Sequence, residues 1–329
     1  MIVGMIFVVV AAVFQGTFLL PMNLTRKWAW EHTWAVFCLL AMIVFNWGLA
    51  SALLPSPAAF YALVPRRELM DLAGFGLAWG VSAVLFGLAM DRLGLALGYP
   101  IIMGLTASVG ALLPMLTLAH GHLGLGSLVV MAGVLLGVAG IVSCSMAGAG
   151  NRPASRPRSQ FTFGLIIAIV SGFLSCLPNI GLAYGTGTIH SARLMGASEA
   201  LAGNAVWCIF FTLGGIVNVV YCVWLMAERR SFRTLIAPGS VRDLGCGAAM
   251  ALLWIGSFYL YGIGVARIGV WGTVVGWPVF ICLAIGVGAL GGWLKGEWRE
   301  APRSAVGVLR QGLVLILLAV VVLALGNLI

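Results

Sequence analysis

The sequence predicts an all-α membrane protein with ten transmembrane helices arranged as two inverted five-helix repeats. Of its 329 residues, 62% are hydrophobic and 8% are charged, against about 45–50% and about 25% in an ordinary soluble domain. Uncharged apolar stretches recur along the whole chain, and a stretch of about 18 residues or more is long enough to cross a bilayer as a helix. Runs such as 313–325 do not alternate as barrel strands do, so the class is helical.

Charges, prolines and polar clusters divide the chain into ten apolar segments. All but four of the 18 lysines and arginines fall on one side if the first segment begins outside the cell. Since positive charges collect in cytoplasmic connections, this predicts a multi-pass protein of the bacterial inner membrane with both termini outside. The predicted segments are 2–24, 33–54, 72–90, 95–119, 123–148, 161–184, 200–227, 244–265, 268–294 and 306–329.

The chain has a polar centre that separates two halves. Residues 151–160 (NRPASRPRSQ) form the predicted cytoplasmic linker between a first repeat, 1–150, and a second, 161–329. Five helices per half force the halves into opposite orientations, the usual framework of alternating-access transporters. The shift along the chain that places Trp79 on Trp254, which we call the repeat offset, also places Phe86 on Tyr261 and Arg92 on Arg267. These coincident side chains support a duplication.

Signatures of several other functions are missing from the sequence. It has no nucleophile elbow, phosphate-binding loop, paired carboxylates or histidine-rich cluster, so we expect no catalytic residues, no metal ligands and no cofactor. The net charge of +9 reflects membrane topology and does not indicate a nucleic-acid partner. Seven cysteines, without a C-x-x-C pair, are interpreted as small buried apolar side chains.

Three amides inside apolar segments are candidate solute ligands. Polar groups at that depth are costly, and in transporters they mark the solute pathway. Gln15 and Asn179 lie in the first helix of each half, close to Pro21 and Pro178, and a proline can open a helix around a solute. Asn204 lies early in the seventh segment. The alternative is that each amide only joins helices, a contact worth about 1 kcal/mol or less.

Aromatic side chains supply the predicted walls of the site. An indole or phenol ring stacks on the apolar face of a sugar while amides bind its hydroxyl groups. Trp254 and Tyr261 lie on one helical face at i and i+7, and Trp79 is the repeat counterpart of Trp254. With Trp277 these rings are expected to line a central cavity. The alternative is ordinary packing between helices.

Carboxylates are confined to segment ends and connections, so a proton-coupled carrier would use one of those. Glu31, at the entry to the second segment and beside His32, is the predicted coupling residue, with Asp91 as a second candidate. The alternative for Glu31 is stabilisation of the first turn of its helix, where negative charge is favoured by about 0.3–1 kcal/mol.

Two long blocks, residues 27–55 (beginning KWAWEHTW) and 76–113, resemble the L-rhamnose–proton symporter family of the drug/metabolite transporter superfamily. ARIG at 266–269 and LKGEW at 294–298 extend the likeness. The resemblance implies ten helices, two inverted repeats and uptake of a methyl pentose with a proton. The chain departs from the family pattern at Asn23, where a lysine is expected, and after Arg267, where an acidic residue is expected.

Residues and resemblance together lead us to expect a secondary transporter, not an enzyme. Its partners would be a small neutral or deoxy sugar, a proton or other coupling ion, and the lipid bilayer. Two alternatives stay open at this point. One is export of a small metabolite by the same fold, and the other is a membrane-embedded lipid-modifying enzyme.

Overall fold

The computed structural model describes residues 1–54, 56–93, 95–118, 124–149, 158–294 and 302–326, and within them every regular element is a helix. The α-helices are α1 (Ile2–Thr17), α2 (Trp30–Cys38), α3 (Asn46–Leu53), α4 (Pro57–Leu63), α5 (Arg66–Leu93), α6 (Leu95–Leu118), α7 (Leu125–Ala149), α8 (Arg158–Ser175), α9 (Leu177–Tyr184), α10 (Thr186–Leu194), α11 (Glu199–Ala202), α12 (Val206–Glu228), α13 (Ser240–Ile268), α14 (Gly272–Leu294) and α15 (Arg303–Gly326).

Helix length and composition agree with a protein that crosses the membrane many times. Within the described ranges, nine helical segments are long and apolar enough to span a bilayer. A further apolar stretch, Ile101–Thr117 in α6, is shorter. The multi-span prediction is confirmed, whereas the count of ten stays a prediction.

The first helical segment of each half is interrupted beside a proline. After α1 ends at Thr17, a 3₁₀ helix, Leu20–Leu24, begins with Pro21 in its first turn. In the second half α8 ends at Ser175, and Pro178 lies in the first turn of α9. Proline lacks a backbone N–H and its ring clashes with the preceding turn, so a continuous α-helix cannot pass through it undisturbed.

Small residues allow the helices to approach closely where the two halves meet. The helix α1 packs against α13 and α14, while α8 packs against α5 and α6. A Cβ added at Gly16 of α1 would lie 2.5 Å from the carbonyl oxygen of Ala284, and one added at Gly172 of α8 would lie 2.7 Å from the Cβ of Leu105. These backbone approaches are typical of membrane helix interfaces.

The interior of the bundle is rich in aromatic side chains, and the periphery exposes aliphatic ones. The largest fully buried side chains include Trp207, Trp277, Tyr261 and Phe37. All seven cysteines are free and buried, which confirms their interpretation as small core side chains. The helices α5 and α13 bring their aromatic faces to the centre of this core.

Candidate functional site

Two tryptophans meet at the centre of the bundle. The ring centroids of Trp79 on α5 and Trp254 on α13 lie 5.8 Å apart, with 31° between the ring planes. Phe211 on α12 contacts both, at 5.5 Å from Trp79 and 4.8 Å from Trp254. Phe37 on α2 packs edge-on against Trp254 at 5.8 Å. We call Trp79 and Trp254 the indole pair.

The spacing of the indole pair shows that this arrangement is closed. A sugar ring stacked between two indoles needs two van der Waals separations of about 3.5–4 Å each, or about 7–8 Å in total. The observed centroid distance is 5.8 Å, and only 4% of Trp254 is exposed. The two rings must therefore move apart before a solute can enter between them.

A serine and an amide adjoin Trp254. Ser257, one turn further along α13, donates its hydroxyl hydrogen to Gln15 Oε1 of α1 at 2.8 Å, and its Oγ also lies 2.6 Å from the backbone oxygen of Trp254. The side-chain oxygen of Gln15 thus already accepts a hydrogen bond, while its side-chain N–H groups donate to no acceptor among the described residues. Gln15 therefore retains donors for a solute hydroxyl.

A matching group of hydroxyls adjoins Trp79. Ser82, one turn further along α5, lies 2.8 Å from the hydroxyl of Ser175 and 3.2 Å from that of Ser171, both on α8. Sequence reasoning missed these serines because a buried serine alone carries little signal. The signal was present in the repeat, since the repeat offset superimposes Ser82 on Ser257.

Asn179 belongs to a second polar network, which includes Tyr261 of α13, the helix that carries Trp254. It is fully buried, and its Nδ2 donates to the backbone oxygens of Gly110, at 2.7 Å, and Thr273, at 2.9 Å. Its Oδ1 accepts a hydrogen bond from the Tyr261 hydroxyl at 2.5 Å. Both amide hydrogens and the oxygen are thus paired with protein groups, so Asn179 joins four helical segments in this structure.

Trp277 packs against Tyr261, on the side of the core that holds the Asn179 network. Its indole N–H donates to the backbone oxygen of Thr106 at 2.8 Å, and its ring centroid lies 5.6 Å from that of Tyr261. Both side chains are buried. Trp277 and Tyr261 therefore form one aromatic wall together with the Asn179 network.

Asn204 belongs to a different cluster. Its Oδ1 accepts from the indole N–H of Trp207 at 3.0 Å, and its Nδ2 donates to the backbone oxygen of Tyr259 at 3.3 Å. A Cβ added at Gly262 would meet Asn204 directly, so the amide packs against α13 on the side of Gly262. These hydrogen bonds lead to Trp207 and Tyr259 and not to the indole pair.

Glu31 lies at the start of α2 and forms an ion pair with the end of α12. The Arg229 Nη1 atom lies 3.0 Å from each carboxylate oxygen of Glu31, whose side chain is 2% exposed. His32 is buried too, with its Nε2 2.9 Å from the backbone oxygen of Ser231. Asp91's side chain and linker residues 151–157 lie outside the described part of the molecule.

The chain matches the family model described as "L-rhamnose-proton symport protein (RhaT)" over residues 1–328. Proteins named L-rhamnose-proton symporter from Cronobacter sakazakii, Shigella boydii and Escherichia coli are each 25% identical to it over 336 residues, covering 98% of this chain and 97% of theirs. These relatives are named as transporters and not as enzymes. A family match over almost the whole chain, together with a many-spanning helical structure, shows that this protein belongs to the L-rhamnose-proton symport protein family.

Proposed function

We propose that this protein takes up a small neutral or deoxy sugar of the L-rhamnose type together with a proton, by alternating access of a central site across the bacterial inner membrane. The observation that carries the proposal is the indole pair, Trp79 and Trp254, with a hydroxyl group one turn away on each side. Family membership supports the broader class of sugar–proton transporter.

The chemistry around the indole pair suits a sugar with an apolar edge. Indole faces favour the C–H face of a pyranose and the methyl group of a deoxy sugar, because both remove apolar surface from water. The free amide N–H groups of Gln15 can donate to the hydroxyls, the Ser257 oxygen can accept from them, and Ser82 can do so once its contacts with Ser171 and Ser175 rearrange. We assign Tyr261, Trp277, Asn179 and Asn204 to the surroundings of this site, with Asn179 and Asn204 reaching a solute only after rearrangement.

Several contacts support two inverted repeats. The same repeat offset that relates the two tryptophans relates Arg92 to Arg267. The Arg92 guanidinium lies 5.2 Å from the ring centroid of Phe163 in α8, and that of Arg267 lies 5.4 Å from Phe7 in α1. Each arginine, at the end of the third long helix of one half, thus covers the first helix of the other half.

Two asparagines that the repeat offset does not superimpose make similar contacts in α3 and α12. Asn46 and Asn218 each donate an amide hydrogen to the carbonyl four residues earlier and another to a facing helix, namely to Trp207 O and Gly80 O respectively. In this proposal α6 is the tenth span. The distribution of lysine and arginine supports an orientation with both termini outside the cell.

Coupling is assigned to Glu31. Its buried carboxylate ties α2 to α12, and a proton taken up there would replace the ion pair with a neutral side chain. Because the pair joins one helix from each half, its loss would alter the relation between the halves. This links protonation to a change of access.

The test is transport by the purified protein in liposomes. An inward proton gradient should drive accumulation of labelled L-rhamnose, and adding L-rhamnose without a gradient should raise the external pH. Because Asn23 and the segment after Arg267 depart from the family pattern, the sugars tested should include other deoxy and neutral hexoses and pentoses.

Tryptophan-to-alanine changes at Trp79 and Trp254 should each abolish uptake. The matched control is a tryptophan-to-alanine change at Trp224, which is exposed on α12. Gradient-driven efflux instead of uptake would favour an exporter, and no movement of any sugar would refute the proposal.

A further inference from the structure

A buried carboxylate at the start of α13 holds the connection between α1 and α2. Asp243 is fully buried, and its Oδ1 accepts from the backbone N–H of Arg26 at 3.0 Å. Its Oδ2 accepts from the backbone N–H groups of Lys27, at 2.7 Å, and Trp28, at 2.9 Å. Hydrogen bonds to an ionised acceptor are stronger than neutral ones, so this connection is firmly fixed to α13.

A second carboxylate makes the same kind of attachment at the start of α5. Glu68 Oε2 accepts from the backbone N–H of Gly187 at 3.0 Å. Its Oε1 accepts from the backbone N–H of Thr188 at 2.6 Å and from the hydroxyl of the same residue at 2.5 Å. Glu68 therefore fixes the beginning of α10, the segment that follows α9.

The two attachments correspond in the proposed repeat. The repeat offset that relates Trp79 to Trp254 also relates Glu68 to Asp243. Each carboxylate begins the third long helix of one half and holds the segment that follows the proline-broken first helix of the other half. In the inverted arrangement α5 and α13 run in opposite directions, so the two attachments lie at opposite membrane faces.

We propose that Glu68 and Asp243 are positioning residues for transport, a pair of acidic clasps that set which face of the carrier opens. This inference rests on the proposed alternating-access function. Both clasps are formed in this structure, in which the indole pair is too close to admit a sugar. Opening either face moves a proline-broken first helix away from the opposite half. The clasp at that face is therefore lost while the other remains. Each clasp thus disfavours opening at its own face, and the two have opposite effects on the equilibrium between states open to one face and to the other.

The experiment measures from which face the centre is reached. A Ser257→Cys reporter, buried in the closed structure, is labelled with a membrane-impermeant maleimide in vesicles of either orientation, and labelling of the parent with its seven buried cysteines is subtracted. A second reporter, Ile236→Cys, identifies the orientation that exposes the face carrying Asp243, because Ile236 is 86% exposed just before α13.

Asp243→Asn should raise the ratio of labelling from its own face to labelling from the opposite face about tenfold, which corresponds to about 1.4 kcal/mol. Glu68→Gln should lower the same ratio by a similar factor, and the double variant should return towards the parent. Glu199→Gln is the matched control, since Glu199 is 79% exposed in its pair with Arg193 and should leave the ratio unchanged.

Changes of the same sign in both variants, or an unchanged ratio in folded variants, would overturn the inference. Where Asp243→Asn does not fold, Thr188→Val decides, because it removes one hydrogen bond from the Glu68 clasp alone and should shift the ratio in the direction of Glu68→Gln. Failure of the proposed sugar function appears separately, as absence of L-rhamnose uptake by the unmodified chain, on which the labelling ratio does not depend.

Discussion

Glu31→Gln is expected to abolish sugar-evoked proton uptake while sugar exchange continues. Glutamine keeps the shape of the side chain and can still accept a hydrogen bond from Arg229, but it cannot bind and release a proton. In the proposed mechanism the variant therefore moves sugar down its own gradient and no longer accumulates it against one.

The structure predicts an unequal cost for removing either partner of this ion pair. Glu31 is 2% exposed and Arg229 is 57% exposed. Glu31→Gln removes the buried charge and leaves an arginine that can donate to the amide oxygen or turn towards water, so it is the less costly change. Arg229→Gln leaves a buried carboxylate without its partner, and the cost rises towards about 3–5 kcal/mol. The double variant should be more stable than Arg229→Gln alone.

The assay compares two fluxes in the same liposomes. Proton uptake is followed by the external pH after adding sugar, and exchange is followed by the loss of preloaded labelled sugar into excess unlabelled sugar. Glu199→Gln, a change at an exposed carboxylate, should leave both fluxes intact. Normal proton movement in Glu31→Gln would refute the coupling assignment and return Glu31 to the role of stabilising the first turn of α2.

Three further predictions concern stability and topology. Asn179→Ala removes three hydrogen bonds worth about 0.6 kcal/mol each in a membrane, so unfolding in detergent should show a loss of about 2 kcal/mol. An unchanged stability would contradict the network described above. Gly16→Ala should destabilise by forcing α1 away from Ala284, whereas Gly48→Ala, with nothing within 4 Å of the new methyl group, should stabilise by up to about 1 kcal/mol. A thiol at position 156 should react only from the cytoplasm, and thiols at the termini only from outside; the reverse pattern would overturn the proposed orientation.

Much of the architecture is predictable because apolar length is a strong signal in a membrane protein. The many-spanning helical class and the family follow from the sequence and are confirmed. Sequence spacing also led to the repeat-related Trp79 and Trp254, whose rings are in contact. The division of residues 30–53 into α2, a π-helix and α3 was not predicted. In the π-helix each backbone hydrogen bond spans one residue more than in an α-helix. That change depends on packing, which the spacing of apolar residues in the sequence does not encode.

Individual polar residues are harder to interpret, because a sequence shows a donor or acceptor but not what satisfies it. Asp243 directly precedes an apolar segment of the sequence, yet it is fully buried and accepts three backbone hydrogen bonds. Those partners, Arg26, Lys27 and Trp28, lie 215 to 217 residues earlier in the sequence. Such an attachment becomes predictable only when the repeat is used to compare Asp243 with Glu68.

Gln15 and Asn179 occupy similar places in the sequence, but they differ in which of their polar atoms are already paired. Gln15 uses its oxygen to accept from Ser257 and retains its donors, so it can bind a sugar hydroxyl without losing a protein contact. Asn179 must first give up Tyr261 or a backbone carbonyl. A sugar that binds Asn179 therefore exchanges one buried hydrogen bond for another, at little net gain. Gln15→Ala should accordingly weaken sugar binding with little loss of stability, whereas Asn179→Ala should act mainly on stability. Equal effects of both variants on binding, measured at matched folded fractions, would show that the Asn179 network opens when sugar binds.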